Sequence, residues 1–415
     1  MRQEKARETR RRAFLVCFAA MMKRLAILAA ISLAIGSAAQ AQTTPETEAV
    51  RRFARAYLTY VPGSTYDVRV DYNGMTPNGT YQVFTVVRNG PAGDKFNEQL
   101  SLVLDDRTRT ATVGMAMPVP PTEPPVNASN LPYFVDQVLP QVVKQMFPTS
   151  VRVRWPGVPA RPTAIVPLTL DTGTGYGWAH MPLAITADGR YLMLGGIWSL
   201  DRDPRAQRRE MIDATLVNWD PGHEDAVVKV VEFSDYECPA CKRAWGDLKP
   251  VLTGFGEGVR HGMVNFPLTN NHPWAFRAAS AGSCVFSLWP GKLLAFKDEM
   301  YRLQDTLTVA AVDDAALGFL DQHSLDKTAF LGCHMKDAVI DKVLLQMDLG
   351  HRLGVFGTPA YYVNGEQFPG GKPDVAKKRL QAILDAGGKP EDAAEVEPEK
   401  ATPAAAAKPP AAPPK

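Results

Sequence analysis

The sequence predicts an α/β half that carries a helical insertion, preceded by an α+β half built on antiparallel sheet. Three observations lead there. Thr43 to about Trp198 alternates apolar and polar residues with a period of two, the mark of half-buried strands. Ala226 to Phe233 (A-V-V-K-V-V-E-F) is a nearly continuous apolar run of strand length, and it leads into a helical pattern that starts around Cys238-Pro239-Ala240-Cys241. Asn271 to Gly350 then reads as helix over about eighty residues.

Residues 1–41 read as a secretory signal peptide. Lys23 and Arg24 precede the apolar run Leu25 to Ile35, and Ala39-Gln40-Ala41 supplies small residues where a signal peptidase needs them. The run is short for a bilayer span; the alternative is a buried N-terminal helix. Translation from Met21 or Met22 would omit an arginine-rich extension that is unusual ahead of a signal. Cleavage after Ala41 removes Cys17 and leaves Cys238, Cys241, Cys284 and Cys333. An even number of cysteines in an exported chain fits disulfide chemistry, most simply in a bacterial periplasm. Without the leader, 38 Lys and Arg stand against 42 Asp and Glu, which does not suggest nucleic-acid binding.

The α+β half divides into two units, 42–125 and 126–200. In the first, Val50, Phe53, Ala54 and Tyr57 form a helical face; Tyr66 to Tyr72 alternates as a strand; and Asn73-Gly74, Asn78-Gly79 and Asn89-Gly90 read as turns. In the second, Leu131, Phe134, Val135, Val138 and Val142 form a helical face interrupted by Pro140. Strands follow at Val151 to Trp155, Thr163 to Leu170, Ala179 to Thr186 and Tyr191 to Trp198. Shifting the chain by 83 residues without gaps places Val68-Arg69-Val70 on Val151-Arg152-Val153, and gives ten identities over the forty positions 68–107. Average composition would give roughly two or three. The reading is a duplicated helix-plus-antiparallel-sheet unit; the alternative is two β-rich regions with chance matches. His180 stands alone here, so binding, spacing or dimerisation is the default role of this half.

Residues 201–214 (from D-R-D-P-R-A-Q-R-R-E) read as a charged linker or helix start. The α/β half runs from 215 to 386. Residues 387–415 become Pro, Ala, Lys and Glu, a composition that buries too little surface to offset its ordering entropy, and are expected to be disordered.

The chemistry centres on the cysteine pair. A strand ending at Phe233 and a helix from Pro239 put Cys238 at the N-cap, with proline at the favoured first helical position. Unpaired backbone N–H groups and the positive end of the helix dipole then face the Cys238 sulfur and stabilise its thiolate. Cys241 lies one turn on and deeper. Such a pair suits attack on a disulfide by the first sulfur and resolution by the second. Structural zinc needs two further ligands, and neither Cys284, Cys333, His223 nor His261 has ligand-like spacing. Covalent haem needs His at position 242, which is Lys. A structural bridge across so short a loop gains only about 2 kcal/mol, against about 4 kcal/mol for one joining Cys284 to Cys333.

These residues resemble the thioredoxin fold, and within it the DsbA-like thiol:disulfide interchange proteins, over residues 215–386. V-E-F-S-D-Y-E-C-P-A-C-K-R and G-V-F-G-T-P-A-Y-Y-V-N-G (Gly354 to Gly365) carry the resemblance, with the helical insertion of about 271–350 between them. By that resemblance Cys238 is the nucleophile, Cys241 the resolving thiol, and Pro359 a cis-proline beside the pair. Thr358 offers backbone hydrogen bonds to a substrate strand. Glu232 is a buried acid of raised pKa that takes the proton of Cys241, the alternative being an edge-strand surface residue. Cys284 and Cys333 form a structural disulfide, the alternative being two free buried thiols. Ala240 replaces the histidine of strongly oxidising relatives, and Thr358 is more like the isomerases of the DsbC and DsbG kind. His272 is expected to cap a helix and His334 to lie on a helix surface. Trp274, Phe276, Trp289 and Phe296 are expected in a core or as an apolar patch beside Cys238.

The expectation is an exported, periplasmic thiol-disulfide oxidoreductase that needs no cofactor and no metal. Its partners are exported proteins with cysteines and a membrane redox partner, with a homodimer through the N-terminal half if it works as an isomerase. A binding or assembly factor using the fold only as a scaffold is the alternative.

Overall fold

The structure, a computed structural model, describes residues 45–60, 68–75, 81–89, 97–146, 150–155, 165–368 and 372–396. The expected signal peptide, the Asn78-Gly79 turn and residues 397–415 of the expected tail lie outside them. Among the described residues, no helix is long and apolar enough to cross a membrane.

Helix α1 (Pro45–Tyr57) is followed by strands β1 (Val68–Met75), β2 (Gln82–Asn89), β3 (Asn97–Asp105) and β4 (Thr110–Pro118). A second set repeats this order. A helical segment ends in α2 (Leu139–Met146), and β5 (Val151–Arg154), β6 (Ile165–Gly173), β7 (Trp178–Thr186) and β8 (Tyr191–Ser199) follow. All eight strands form one antiparallel sheet, ordered β1-β2-β3-β4-β8-β7-β6-β5. The two sets therefore meet edge to edge, with Thr110 opposite Ser199 and Pro118 opposite Tyr191.

Each helix covers mainly its own set, and α1 also reaches Trp198 of β8. Val50, Phe53 and Tyr57 bury against Phe84, Leu102 and Trp198. Phe134, Leu139 and Val143 bury against Leu168, Leu183 and Leu192. Pro140 has no N–H to donate back along its helix, and the turn before it widens into a π segment, Phe134–Val138. The expected Asn73-Gly74 turn is instead inside β1, where the register with β2 shifts between Tyr72 and Met75. The extra length is absorbed as a bulge, and the chain does not reverse.

Of the two readings of residues 201–214, linker or helix start, the second holds: they contain a packed helix, α3 (Pro204–Met211), capped by the Asp203 carboxylate on the Arg205 N–H. Its Arg208 is fully buried. The guanidinium donates to the Tyr57 carbonyl at 2.6 Å and lies over the rings of Tyr57 and Tyr362, 4.5 and 5.3 Å from their centroids. It thereby ties α1 to the second sheet.

That second sheet has the order β13-β12-β10-β11-β9. Its strands are β9 (Asn218–Trp219), β10 (Val228–Ser234), β11 (Val259–Asn265), β12 (Ala360–Val363) and β13 (Glu366–Phe368). β10 runs parallel to β11 and antiparallel to β12. Helices α4 (Pro239–Gly254) and α10 (Pro373–Asp385) cover one face. The insertion supplies α5 (Ala275–Leu288), α6 (Leu293–Leu303), α7 (Val312–Gln322), α8 (Lys327–Cys333) and α9 (Asp337–Leu353). Phe276 of α5 and Leu349 and Leu353 of α9 bury against Phe233 and Phe266 on the other face. Cys284 and Cys333 are bonded, their Cα atoms 5.8 Å apart, and join α5 to α8.

The two sheets are bound through α9 and α5. The Asp348 carboxylate accepts the His180 N–H at 2.6 Å, and Tyr176 stacks on Phe276 with centroids 4.2 Å apart. The expected tail begins too early in the sequence reading. Arg379 donates to the carbonyls of Pro390 and Ala394, and the Val396 N–H donates to the Tyr60 hydroxyl, so residues up to 396 are packed.

Arg208→Ala is expected to lower stability by about 2–4 kcal/mol, since it empties a buried site and strands the carbonyl of Tyr57. Urea unfolding of the full chain measures this.

Candidate active site

β10 is central, so residues on both of its faces are buried. The strand ends at Ser234, and the turn that follows is clamped from several sides. The Asp235 carbonyl accepts the Cys238 N–H at 3.2 Å. The Asp235 carboxylate accepts the Glu237 N–H at 2.7 Å, the Leu268 N–H at 2.8 Å and a contact from His272 Nδ1 at 2.6 Å. Gln304 of the insertion donates to the carbonyls of Tyr236 and Cys238 at 2.8 and 3.1 Å. The cap on α5 comes from Glu237, whose carboxylate accepts the Trp274 N–H at 2.7 Å, and not from His272. His272 instead pairs with Asp235, and this hydrogen bond raises its pKa.

Cys238 is the N-cap residue of α4, with Pro239 at the first helical position. Its sulfur lies 3.4 Å from the Thr358 carbonyl. The Thr358-Pro359 peptide, in the loop before β12, is cis. Hydrogen bonding from the Cys241 thiol lowers the Cys238 pKa, against the opposing effect of burial. The N–H groups of Cys241 and Ala240 add to it, and the result is about 5. Cys241 is fully buried and moves the other way: burial and the neighbouring Cys238 charge push it well above the ordinary thiol range. One sulfur is thus a thiolate at neutral pH while the other keeps its proton.

Glu232 is fully buried, on the β10 face that also carries Val228 and Val230 under α4. The expectation of a raised carboxyl is corrected here. Burial alone would raise it, but the Lys297 charge and the His261 hydrogen bond outweigh burial and bring it to about 2. Lys297 Nζ lies 2.6 and 2.7 Å from the two carboxylate oxygens, and His261 Nε2 lies 2.9 Å from one of them. Lys297 is itself fully buried, 3.7 Å from the Trp245 ring centroid, and burial pushes its pKa down against the pull of Glu232. Cys241 is close enough for its charge to act on Lys297. Sequence reading found Glu232 and missed both partners. A lysine in an amphipathic helix reads as surface, and only tertiary packing turns Lys297 inward.

Other expectations are also revised. His334 is buried, not on a surface, and bonds Ser280 at 3.1 Å and Asp313 at 3.0 Å beside the disulfide. His180 is not alone. It shares the buried Asp171 carboxylate with Arg152 and Arg154. Trp274, Phe276 and Phe296 are core residues and Trp289 is half-buried, so they form no exposed patch beside Cys238. Among the described residues, no group of His, Cys, Asp and Glu has the arrangement of a metal site.

The class that fold and site define is a thioredoxin-like dithiol protein, and comparison with known proteins agrees. The family model described as "Thioredoxin" matches residues 219–386. A "Probable disulfide bond formation protein D" of Bacillus cereus is 30% identical over 184 residues, covering 42% of this chain and 82% of that protein. This chain belongs to that DsbA-like thiol:disulfide interchange family. Also similar is "Na(+)/H(+) antiporter NhaA 1" of a Mycobacterium species, 30% identical over 150 residues, or 36% of this chain. The chain spans only 24% of the length of that antiporter. Among solved structures, oxidised BdbD from Bacillus subtilis aligns with a TM-score of 0.37 and 23% identity, covering 42% of this chain and 95% of that one.

Two predictions follow from the site's charges. Glu232→Leu leaves Lys297 buried without its counter-charge and is expected to destabilise the fold by about 3–5 kcal/mol; adding Lys297→Met is expected to recover most of that loss, read by urea unfolding. Cys241→Ala removes the leading cause of the low Cys238 pKa. The pH profile of Cys238 alkylation is then expected to move to higher pH, toward the ordinary thiol value.

Proposed function

We propose that this chain is an exported, periplasmic thiol-disulfide oxidoreductase whose substrates are exported proteins with cysteines. The observation that carries the reading is the split between the two sulfurs. Cys238 is the N-cap of α4, where the Cys241 thiol and the first-turn N–H groups lower its pKa to about 5, and Cys241 is fully buried, which pushes its pKa well above the ordinary thiol range. A nucleophile that is ionised at neutral pH and a resolving thiol held in reserve are what stepwise disulfide exchange requires.

In the oxidising direction, a substrate thiolate attacks the Cys238 sulfur of the Cys238–Cys241 disulfide. That bond breaks, a mixed disulfide forms, and Cys241 leaves as a thiolate. The nearby Lys297 ammonium favours this charge as it appears, and Glu232 holds Lys297 in place. A second substrate thiolate then attacks the substrate sulfur of the mixed disulfide and expels Cys238. The substrate gains a disulfide and the chain holds both electrons as a dithiol.

The low Cys238 pKa favours this direction, because stabilising the thiolate stabilises the reduced form of the chain. Ala240 removes one known source of such stabilisation. The backbone N–H groups of Ala240 and Cys241 act in its place. A membrane redox partner would restore the disulfide. Thr358-Pro359 sits where an extended substrate backbone would pair.

The test is oxidation of a reduced, cysteine-bearing protein by the oxidised chain, followed by alkylation shift. Wild type is expected to transfer its disulfide stoichiometrically and Cys238→Ala to transfer none. Equal transfer by the two would contradict the reading and favour the scaffold alternative. A wild-type chain recovered from cells with Cys238 and Cys241 as free thiols would favour the isomerase or reductase direction.

A further inference from the structure

The charge of Glu232 acts on three buried tyrosines, Tyr236, Tyr301 and Tyr361. The Tyr301 hydroxyl is shared with Ser234 at 2.9 Å. Those of Tyr236 and Tyr361 make no hydrogen bond among the described residues. A buried hydroxyl without a partner is costly, and a folded chain carries few of them.

Position separates the two. Tyr236 lies in the turn after β10 and packs among the insertion helices, its ring centroid 5.8 Å from that of Phe296. Tyr361 is on β12, directly opposite Glu232 of β10 in the antiparallel register. Opposed residues of such a pair share a face of the sheet, so Tyr361 and Glu232 both lie under α4. Tyr361 packs there in one core cluster with Cys238, Cys241 and Trp245. The charges of Glu232, Cys241 and Cys238 all act on its hydroxyl, whereas Glu232 is the charge that acts on Tyr236.

Two acceptors are within this neighbourhood, and Glu232 is the poorer match. Its oxygens already take Lys297 at 2.6 and 2.7 Å and His261 at 2.9 Å. A carboxylate offers about four lone-pair sites. Tyr361 leaves the fourth untaken, although it stands directly across the ladder. The other acceptor is Cys241. As a thiol it accepts weakly. As a thiolate it accepts strongly, since hydrogen bonds to ionised groups are roughly twice as strong as those between neutral ones. Burial raises the pKa of the phenol, and the charges of Glu232 and Cys241 raise it further. The hydroxyl therefore keeps its proton and stays a donor.

We propose that Tyr361 is the hydrogen-bond donor for the Cys241 thiolate, idle in the dithiol chain and engaged when a substrate thiolate opens the Cys238–Cys241 disulfide. This rests on the thiol-disulfide reading and adds to it a group on β12, across the sheet from the charge that Lys297 supplies from α6. As the new sulfur–sulfur bond forms at Cys238, the old one breaks and its electron pair stays on Cys241 Sγ. Tyr361 shares its proton with that sulfur and keeps it. Over the full cycle the two substrate thiols give up two protons. One ends on Cys241 and the other in solvent, because Cys238 remains ionised. A bond made only when the charge appears lowers the barrier without stabilising the ground state.

The experiment compares the oxidised full chain with its Tyr361→Phe variant and reads the stopped-flow rate at which dithiothreitol opens the Cys238–Cys241 disulfide, followed by thiolate absorbance. The variant is expected to open about tenfold more slowly or worse, the effect of losing one hydrogen bond to a charged group. Its urea midpoint in the dithiol state is expected to equal or exceed that of wild type, since the lost hydroxyl bonds nothing there. Slower opening together with a lower midpoint would make the hydroxyl a structural group and overturn the proposal. The pH profile of Cys238 alkylation is expected to stay in place; a move to higher pH would assign the hydroxyl to the other sulfur and also overturn it. Equal opening rates overturn it and leave the thiol-disulfide reading intact. Wild type that opens normally yet passes no disulfide to a reduced, cysteine-bearing protein would sink that reading without touching the rate comparison.

Discussion

The structure depends on one electrostatic arrangement: a sulfur placed where the first turn of a helix has hydrogen-bond donors and no carbonyls to satisfy them. Cys238 ends a turn and Pro239 starts a helix, so the N–H groups of Ala240 and Cys241 in the first turn lie near the sulfur and lower its pKa. Much of the surrounding architecture holds that turn. Asp235 fastens it to the loop 266–271, Gln304 fastens it to α6, and the loop before β12 closes over it with the Thr358 carbonyl. The helical insertion is therefore part of the site, since it supplies Gln304 and Lys297 as well as bulk.

Burial and charge oppose each other beneath the sulfur pair. Moving Glu232 and Lys297 out of water is costly, and the cost is offset because each carboxylate oxygen meets the ammonium and one also meets His261. Replacing the pair with packed apolar side chains would serve stability as well. Within the pair, Lys297 lies close enough to Cys241 for the charge of one to act on the other.

How much of this was legible in the sequence follows from the range of each interaction. Cys238 at the N-cap, Pro239 at the first helical position and the buried strand before them are local features, and all three were readable. The pairing of Cys284 with Cys333 came through family resemblance, because spacing alone left two free thiols as an alternative. Lys297 and His261 lie 65 and 29 residues from Glu232, and no local pattern reports such partners. The sign of the Glu232 shift was missed for that reason. The Asn73-Gly74 pair looked like a hairpin turn but is accommodated inside β1, since strand pairing with β2 resumes past it at Met75 and Gln82. Residues 201–214 and 387–396 were too charged or too Pro- and Ala-rich to read as packed. They are held by long-range contacts of Arg208 and Arg379 with backbone carbonyls.

The most direct measurement is the ultraviolet thiolate absorbance of the reduced full chain as a function of pH, with Cys238→Ala as the reference. A transition near pH 5 that is lost in Cys238→Ala is the result these interactions require. A Cys238 transition at the ordinary thiol value of about 8.5 would mean that the helix terminus and its neighbours do not hold the sulfur as an anion, and would contradict the account.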